Sequence, residues 1–143
     1  MDIALELRDH VLEGYWLLYL GEAQRAQGKT AEALTSYQRS AVIHRRLGDR
    51  SREALAWHGA GGTYQRLDRN GEAVDFHRRA VAVHKDVGDT WHHAVALDSL
   101  ASSLRSEDAV QANRYWEDVL RLLSNYGDAR AVKMRERIEG QLE

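Results

Sequence analysis

The fold is decided by two consecutive stretches of equal length that align without a gap. Residues 13–52 read EGYWLLYLGEAQRAQGKTAEALTSYQRSAVIHRRLGDRSR, and residues 53–92 read EALAWHGAGGTYQRLDRNGEAVDFHRRAVAVHKDVGDTWH. The alignment sets Gly21 opposite Gly61, His44 opposite His84, and Gly48-Asp49 opposite Gly88-Asp89. A third copy, one residue shorter, starts at His93 and closes on Gly127-Asp128. Self-similarity at a fixed period of this size predicts a repeat protein, with copies at about 13–52, 53–92 and 93–131.

Within each copy the apolar and small residues recur with the period of an α-helix, not of a strand. The glycines of Gly48-Asp49, Gly88-Asp89 and Gly127-Asp128 are predicted to end one helix with a positive φ, and the aspartates to cap the next. Turn-forming residues also occur at 28–30, 68–71 and 106–108, so each copy should be an antiparallel helix pair. The predicted helices lie near residues 10–27, 31–47, 50–67, 71–87, 90–105, 108–126 and 129–142.

These elements predict one domain over residues 1–143, an all-α, right-handed α-solenoid of about seven helices. The last helix, 129–142, carries one apolar stripe and should close the final pair.

Composition narrows the function. Lys and Arg total 20 against 22 Asp and Glu, a net charge of −2 with both signs mixed, so nothing points to nucleic-acid or membrane binding. The absence of cysteine excludes disulfides and thiolate metal sites. No basic export segment precedes an apolar run, and a cytoplasmic location is expected.

The residues at the helix contacts resemble the tetratricopeptide repeat family. The second copy fits its pattern best, with Trp57, Ala60, Gly61 and Tyr64 on the first helix and Ala73, His77 and Ala80 on the second. The first copy supplies Leu17, Leu20, Gly21, Gln24, Ala33, Tyr37 and Ser40, and the third Leu97, Leu100, Ala101, Leu104, Ala112, Trp116 and Val119.

The usual unit of that family has about 34 residues, whereas this one has 40 and ends in Gly-Asp. The longer form is similar to the repeats of kinesin light chain. It is more similar to C-terminal repeat arrays of actinobacterial regulators that carry a DNA-binding or NB-ARC-type nucleotide-switch region. Four segments carry this second resemblance: 44–50, 77–81, 127–131 and 134–138.

The family resemblance implies a non-catalytic module that binds a protein or peptide without a cofactor or metal. The first helix of each pair would then line a concave groove. Helical spacing names the lining as Tyr15, Leu18, Glu22, Arg25, His58, Gly62, Gln65, Asp98, Ser102 and Arg105. Peptide-clamping members commonly carry asparagine and lysine there, which argues against an acidic C-terminal tail, although Arg25 and Arg105 are suited to hold a carboxylate. A plain solvated inner face is the alternative.

Three functions stay open. The first is a groove that binds a protein, a peptide or another domain of the parent chain. The second is a sensor that holds a transcription activator or nucleotide switch inactive until a small ligand or peptide arrives. The third, a hydrolase using His58, Asp98 and Ser102, lacks a strained nucleophile turn and an oxyanion hole, so the chain is not predicted to be an enzyme.

Several residues have simpler interpretations. The stretch Gly59–Gly62 follows a helix and is no phosphate loop. Gly61 should serve close helix packing, whereas Gly59 and Gly62 would leave bare backbone on the groove side. His77, His44 and His84 are interpreted as packed residues rather than metal ligands. The same interpretation makes Trp57 and Trp116 core residues, and Trp16 and Trp91 isolated exposed aromatics.

The N-terminal residues extend the register, since Leu7 and Asp9 align with Leu47 and Asp49. Residues 1–7 are therefore predicted to be the end of a second helix, with Arg8 at the corner and the chain the C-terminal piece of a longer array. We expect the uncovered first helix to fray before about residue 10 or to drive end-to-end self-association, with a homodimer favoured.

Overall fold

Seven α-helices connected by short turns make up the computed structural model, which describes residues 3–142. They are α1 (Ile3–Ala26), α2 (Thr30–Arg46), α3 (Arg50–Arg66), α4 (Asn70–Asp86), α5 (Thr90–Leu104), α6 (Ala109–Leu122) and α7 (Ala129–Leu142). No strand occurs in this part of the chain. The all-α solenoid of helix pairs predicted from the repeat is confirmed.

The turns follow from the residues at the helix ends. Gly28, Gly48 and Gly88 adopt φ values of 77°, 73° and 76°, the left-handed conformation that glycine adopts without strain. The side chains of Asp49 and Asp89 accept hydrogen bonds from the third backbone N–H that follows them, which satisfies a free donor at the start of α3 and of α5.

The turn between α6 and α7 differs from the prediction, because Gly127 does not adopt a positive φ. Instead the guanidinium of Arg135 donates to the carbonyl oxygens of Leu123 and Tyr126, at 2.5 and 2.6 Å. A side chain from α7 thus satisfies the carbonyls that a left-handed glycine would otherwise help to satisfy.

The prediction for the N-terminal residues is wrong where the structure tests it. Helix α1 runs through Arg8 without a corner and begins at Ile3, not near residue 10. The reason is local, since residues 7–9 contain no glycine and nothing else there forces a positive φ. Residues 1 and 2 lie outside the described part.

Each helix packs mainly against the next one in sequence, so that α2 lies between α1 and α3, and α4 between α3 and α5. The contacts are close because small residues fill them. Buried alanines at these contacts are Ala33, Ala54, Ala56, Ala60, Ala73, Ala80, Ala94, Ala96, Ala101 and Ala112. None of the described helices is long and apolar enough to cross a membrane.

Candidate functional site

The first helices of the pairs line the inner side of the stack. Within the described chain α1 approaches α3 closely, and α3 approaches α5, whereas α2, α4 and α6 do not approach one another. A stack whose first helices converge and whose second helices diverge is concave along α1, α3 and α5. This is the face on which the predicted groove residues were placed.

Arg25 and Gly62 form the centre of this face. A Cβ built on Gly62 would lie 2.7 Å from Nη1 of Arg25, so the guanidinium occupies the space that a side chain on α3 would fill. Arg66 donates to the backbone carbonyl of Arg25 at 2.6 Å and ties the end of α1 to the end of α3. Arg25 is half-buried and forms no ion pair with any residue of the described chain.

Tyr37 of α2 reaches the same region from behind. Its side chain is fully buried, and its hydroxyl oxygen has no hydrogen-bond partner among the described residues. Burial raises the pKa of the phenol to about 12, while the charges of Arg25 and Glu22 act on it in opposite directions. A neutral, unpaired hydroxyl therefore lies within the electrostatic range of Arg25.

His58 is the third group at this centre. Its Nε2 lies 2.8 Å from the Ser99 hydroxyl on α5, and its ring is 5.1 Å from that of His77, centroid to centroid. Burial, followed by the positive charge of Arg25, lowers the pKa of His58 to about 4. The imidazole is consequently neutral at physiological pH.

The hydrolase arrangement does not assemble. His58 bonds to Ser99 and not to Ser102, which is exposed. The carboxylate of Asp98 accepts a hydrogen bond from the indole Nε1 of Trp116 at 3.0 Å and pairs with Arg137. Asp98 therefore ties α5 to α6 and α7, and it cannot orient His58 while it does so.

Leu18 does not line the groove, contrary to the prediction. It is only 7% exposed and packs in a cluster with Ala33, Tyr37, Ala41, Ala56 and Ala60. The α2 and α3 side chains around Leu18 are small or flat, and its side chain fills the space that they leave between α1, α2 and α3.

The other predicted lining residues divide into two groups. Gln65 is turned into the stack, where its Oε1 lies 2.9 Å from Nε2 of His77. Tyr15 is covered by the Arg52 guanidinium, 4.4 Å from the ring centroid. Glu22 and Arg105 are exposed, and neither takes part in the contacts around Arg25.

Gly59 serves packing and not the groove, contrary to the prediction. A Cβ at this position would lie 2.3 Å from Cε1 of Tyr37. This overlap is larger than at Gly61, where an added Cβ would lie 2.6 Å from Cε1 of His77. Of the two glycines predicted to expose backbone, only Gly62 faces the groove.

Two residues of the site were missed by the sequence analysis, Ser99 and Tyr37. Ser99 stands 40 residues after Gly59, a position that holds a small residue in both copies, so the pattern alone indicates only packing.

Among the described residues no three histidines and carboxylates are grouped to hold a metal ion.

The profile of the tetratricopeptide repeat family matches residues 12–86, just over half of the chain. No curated protein sequence matches it. Among solved structures, the TPR domain of Arabidopsis FLU is similar with a TM-score of 0.75 and 20% identity, over 80% of this chain and 98% of that one. The N-terminal domain of stress-induced protein-1 from C. elegans has a TM-score of 0.64 and 17% identity, over 93% and 96%. This chain belongs to the tetratricopeptide repeat family.

Proposed function

We propose that this member of the tetratricopeptide repeat family is a non-catalytic binding module whose concave groove holds a segment of another protein. Arg25 would meet a carboxylate of that segment, and the missing side chain at Gly62 leaves the space over α3 in which the Arg25 guanidinium lies. The observation that carries the proposal is the half-buried residue Arg25, whose guanidinium lies over Gly62 and has no acidic partner within the described chain.

A guanidinium stays charged at any physiological pH, so a half-buried one is stabilised by an anion. Its planar donors match a carboxylate in bidentate geometry. Glu22 lies one helical turn away but does not pair with Arg25, and Asp98 already pairs with Arg137. The donors of Arg25 are therefore available to an incoming carboxylate.

Fluorescence anisotropy with labelled acidic peptides and their Asn/Gln counterparts tests this. We expect the acidic peptides to bind about tenfold more tightly, and Arg25→Ala to abolish the preference. Arg78→Ala is the matched control, because Arg78 is exposed on α4 away from the groove. Equal binding of acidic and neutral peptides, or an unchanged preference in Arg25→Ala, would contradict the proposal.

Gly62→Leu probes the same part of the groove without changing a charge. The leucine side chain would displace the Arg25 guanidinium and fill the groove, so affinity should fall while the helix gains from the loss of a glycine. Full affinity in this variant would show that the segment binds elsewhere.

A regulatory role is a second proposal, and its support is the resemblance of segments 44–50 and 127–131 to repeat arrays of actinobacterial regulators. In this proposal the chain is the C-terminal sensor region of a larger cytoplasmic regulator. The groove then holds another domain of the parent protein, such as a transcription activator, inactive until a ligand or peptide displaces it. The neighbouring coding sequence tests the idea, since it should encode a DNA-binding or P-loop region; its absence from the native gene would refute the role.

A further inference from the structure

The outward face of α1 carries an exposed apolar stripe. Leu12, Trp16 and Tyr19 are 54%, 65% and 66% exposed, and Ala23 continues the line one turn later. Trp16 is therefore not the isolated aromatic that the sequence analysis predicted. Intervals of four, three and four residues keep these side chains on one side of the helix, as in the seam between two packed helices.

Inside the stack, the equivalent face of each first helix is covered. Shifting by one repeat places Ala56 and Gly59 at the positions of Trp16 and Tyr19, and α2 buries both. In α5 the corresponding residues are Ala96 and Ser99, and Ala96 is packed against residues of α4. Small residues there allow the preceding helix to approach closely.

The two aromatics on α1 change what this face can accept. A helix placed on α1 as α2 is placed on α3 would overlap the Trp16 and Tyr19 side chains, since even a Cβ at Gly59 collides with Tyr37. The occupant of the α1 face must lie further away and pack its side chains between the aromatic rings. Exposed Trp and Tyr side by side are also the residues that most often dominate binding energy at interfaces.

Acidic residues border the stripe in its first half. Glu6, Asp9 and Glu13 lie within one turn of it, and the basic residues of the same stretch are Arg8 and His10, of which His10 lies 3.8 Å from Glu13. Glu13 is 3.7 Å from Arg39, whereas Glu6 and Asp9 form no ion pair within the described chain. The complementary surface is apolar along its centre and basic along its edge.

We propose that the outward face of α1 binds an amphipathic helix with basic flanks, supplied by a partner protein. A second copy of this chain fits less well. With Trp16 opposite its counterpart, an antiparallel pairing sets Asp9 against the second copy's Ala23, and a parallel pairing sets Asp9 against Asp9. Neither arrangement supplies a cation to the carboxylate, and covering an unpaired carboxylate is costly. A row of lysines or arginines along a partner helix supplies the missing cation.

Two labelled helical peptides of about 20 residues test the proposal with the full chain. Both have leucines along the seam, one with lysines on the flanks and one with glutamates at the same positions. Fluorescence anisotropy should show the lysine peptide binding about tenfold more tightly than the glutamate peptide, with a preference that weakens in high salt.

The site is located by variants. Trp16→Ala combined with Tyr19→Ser should weaken the lysine peptide about tenfold or more, and Asp9→Asn with Glu6→Gln should narrow the preference for it. Val110→Ser is the matched control, because Val110 is 65% exposed on α6, and Arg25→Ala should leave this binding unchanged. Circular dichroism should show all variants folded.

Equal affinity for the two peptides overturns the proposal, as does full affinity in the Trp16/Tyr19 variant. Sedimentation velocity tests whether a second copy of this chain occupies the face instead. A dimer that disappears in the same variant would assign the face to a second copy, and it too would overturn the proposal.

Discussion

The ring of Tyr37 occupies the space that a side chain on Gly59 would need, since a Cβ there would lie 2.3 Å from Cε1. This contact sets how closely α2 and α3 approach. Two effects on stability act against each other at residue 59. Glycine weakens a helix interior, but any larger residue would push the two helices apart.

Gly59→Ala therefore tests the packing. Helix propensity alone would add about 1 kcal/mol of stability. We expect a net loss of about 2 kcal/mol instead, because the fully buried Tyr37 ring would have to shift to admit the added methyl group. Urea unfolding measures the difference, with Gly140→Ala as control, since no atom of the described chain lies within 4 Å of a Cβ there. A Gly59→Ala protein as stable as the parent would show that the contact is loose.

The aspartate caps should differ in strength although the sequence makes them look alike. Asp49 and Asp89 each accept a backbone N–H at 3.1 Å, whereas within residues 3–142 the Asp128 side chain accepts only from the Arg130 side chain. We expect Asp49→Ala and Asp89→Ala to lower the free energy of unfolding by about 1 kcal/mol each. Asp128→Ala should change it by less than about 0.5 kcal/mol, as ordinary surface substitutions do. Equal losses in thermal melts of the three variants would contradict this assignment.

Asp98 should act on stability and not on catalysis. Asp98→Ala leaves the buried indole N–H of Trp116 without its acceptor and frees Arg137, so we expect a loss of about 1–3 kcal/mol in urea unfolding. Asp98→Asn should recover part of it, because the amide oxygen still accepts. Ser102→Ala should leave the free energy of unfolding unchanged, and no ester turnover should depend on Ser102. Ester turnover that is lost in that variant would support the hydrolase hypothesis.

Acid should unfold the protein through its histidines. Burial lowers the pKa of His58 and His84 to about 4 and that of His77 to about 3, from an ordinary value near 6.5. Above pH 6.5 these groups are neutral in both states and do not affect stability. Between pH 6.5 and about 4 the unfolded chain takes up protons that the folded chain refuses, so stability falls as pH falls.

Urea midpoints measured from pH 7.5 to 4.5 check this, and the decline should steepen below pH 6. His77→Phe should flatten the decline, whereas His10→Gln should not, since His10 is exposed and distant in sequence from His58, His77 and His84. A flat profile over the whole range would show that the buried histidines are already accommodated when protonated.

Periodicity and turn chemistry predict the helices, because they depend on residues close in sequence. Alignment of the copies likewise identified His77 as packed. Predictions from the sequence are wrong where residues distant in sequence share one space: the Tyr37 ring occupies the space beside Gly59, and Leu18 packs against small residues of α2 and α3. The Gly127 turn was missed because the guanidinium that replaces it comes from Arg135, further along the chain.

The candidate site shows the same division. Spacing placed Arg25 and Gly62 on one face, but only the structure shows the guanidinium over the glycine. Helical spacing places residues 12, 16, 19 and 23 of α1 on one side. The sequence predicts an uncovered first helix but treats Trp16 as an isolated aromatic, and the structure adds that Leu12, Trp16 and Tyr19 are exposed together.

Because each helix contacts only its neighbours or next neighbours in sequence, nothing in the described chain fastens its first helix to its last. Tension applied between the two ends would therefore load the helix contacts one after another, as links in series. The array should lengthen stepwise and give way one helix pair at a time. Under such a load the distance between the ends would grow while each helix pair that stays folded keeps its own surface.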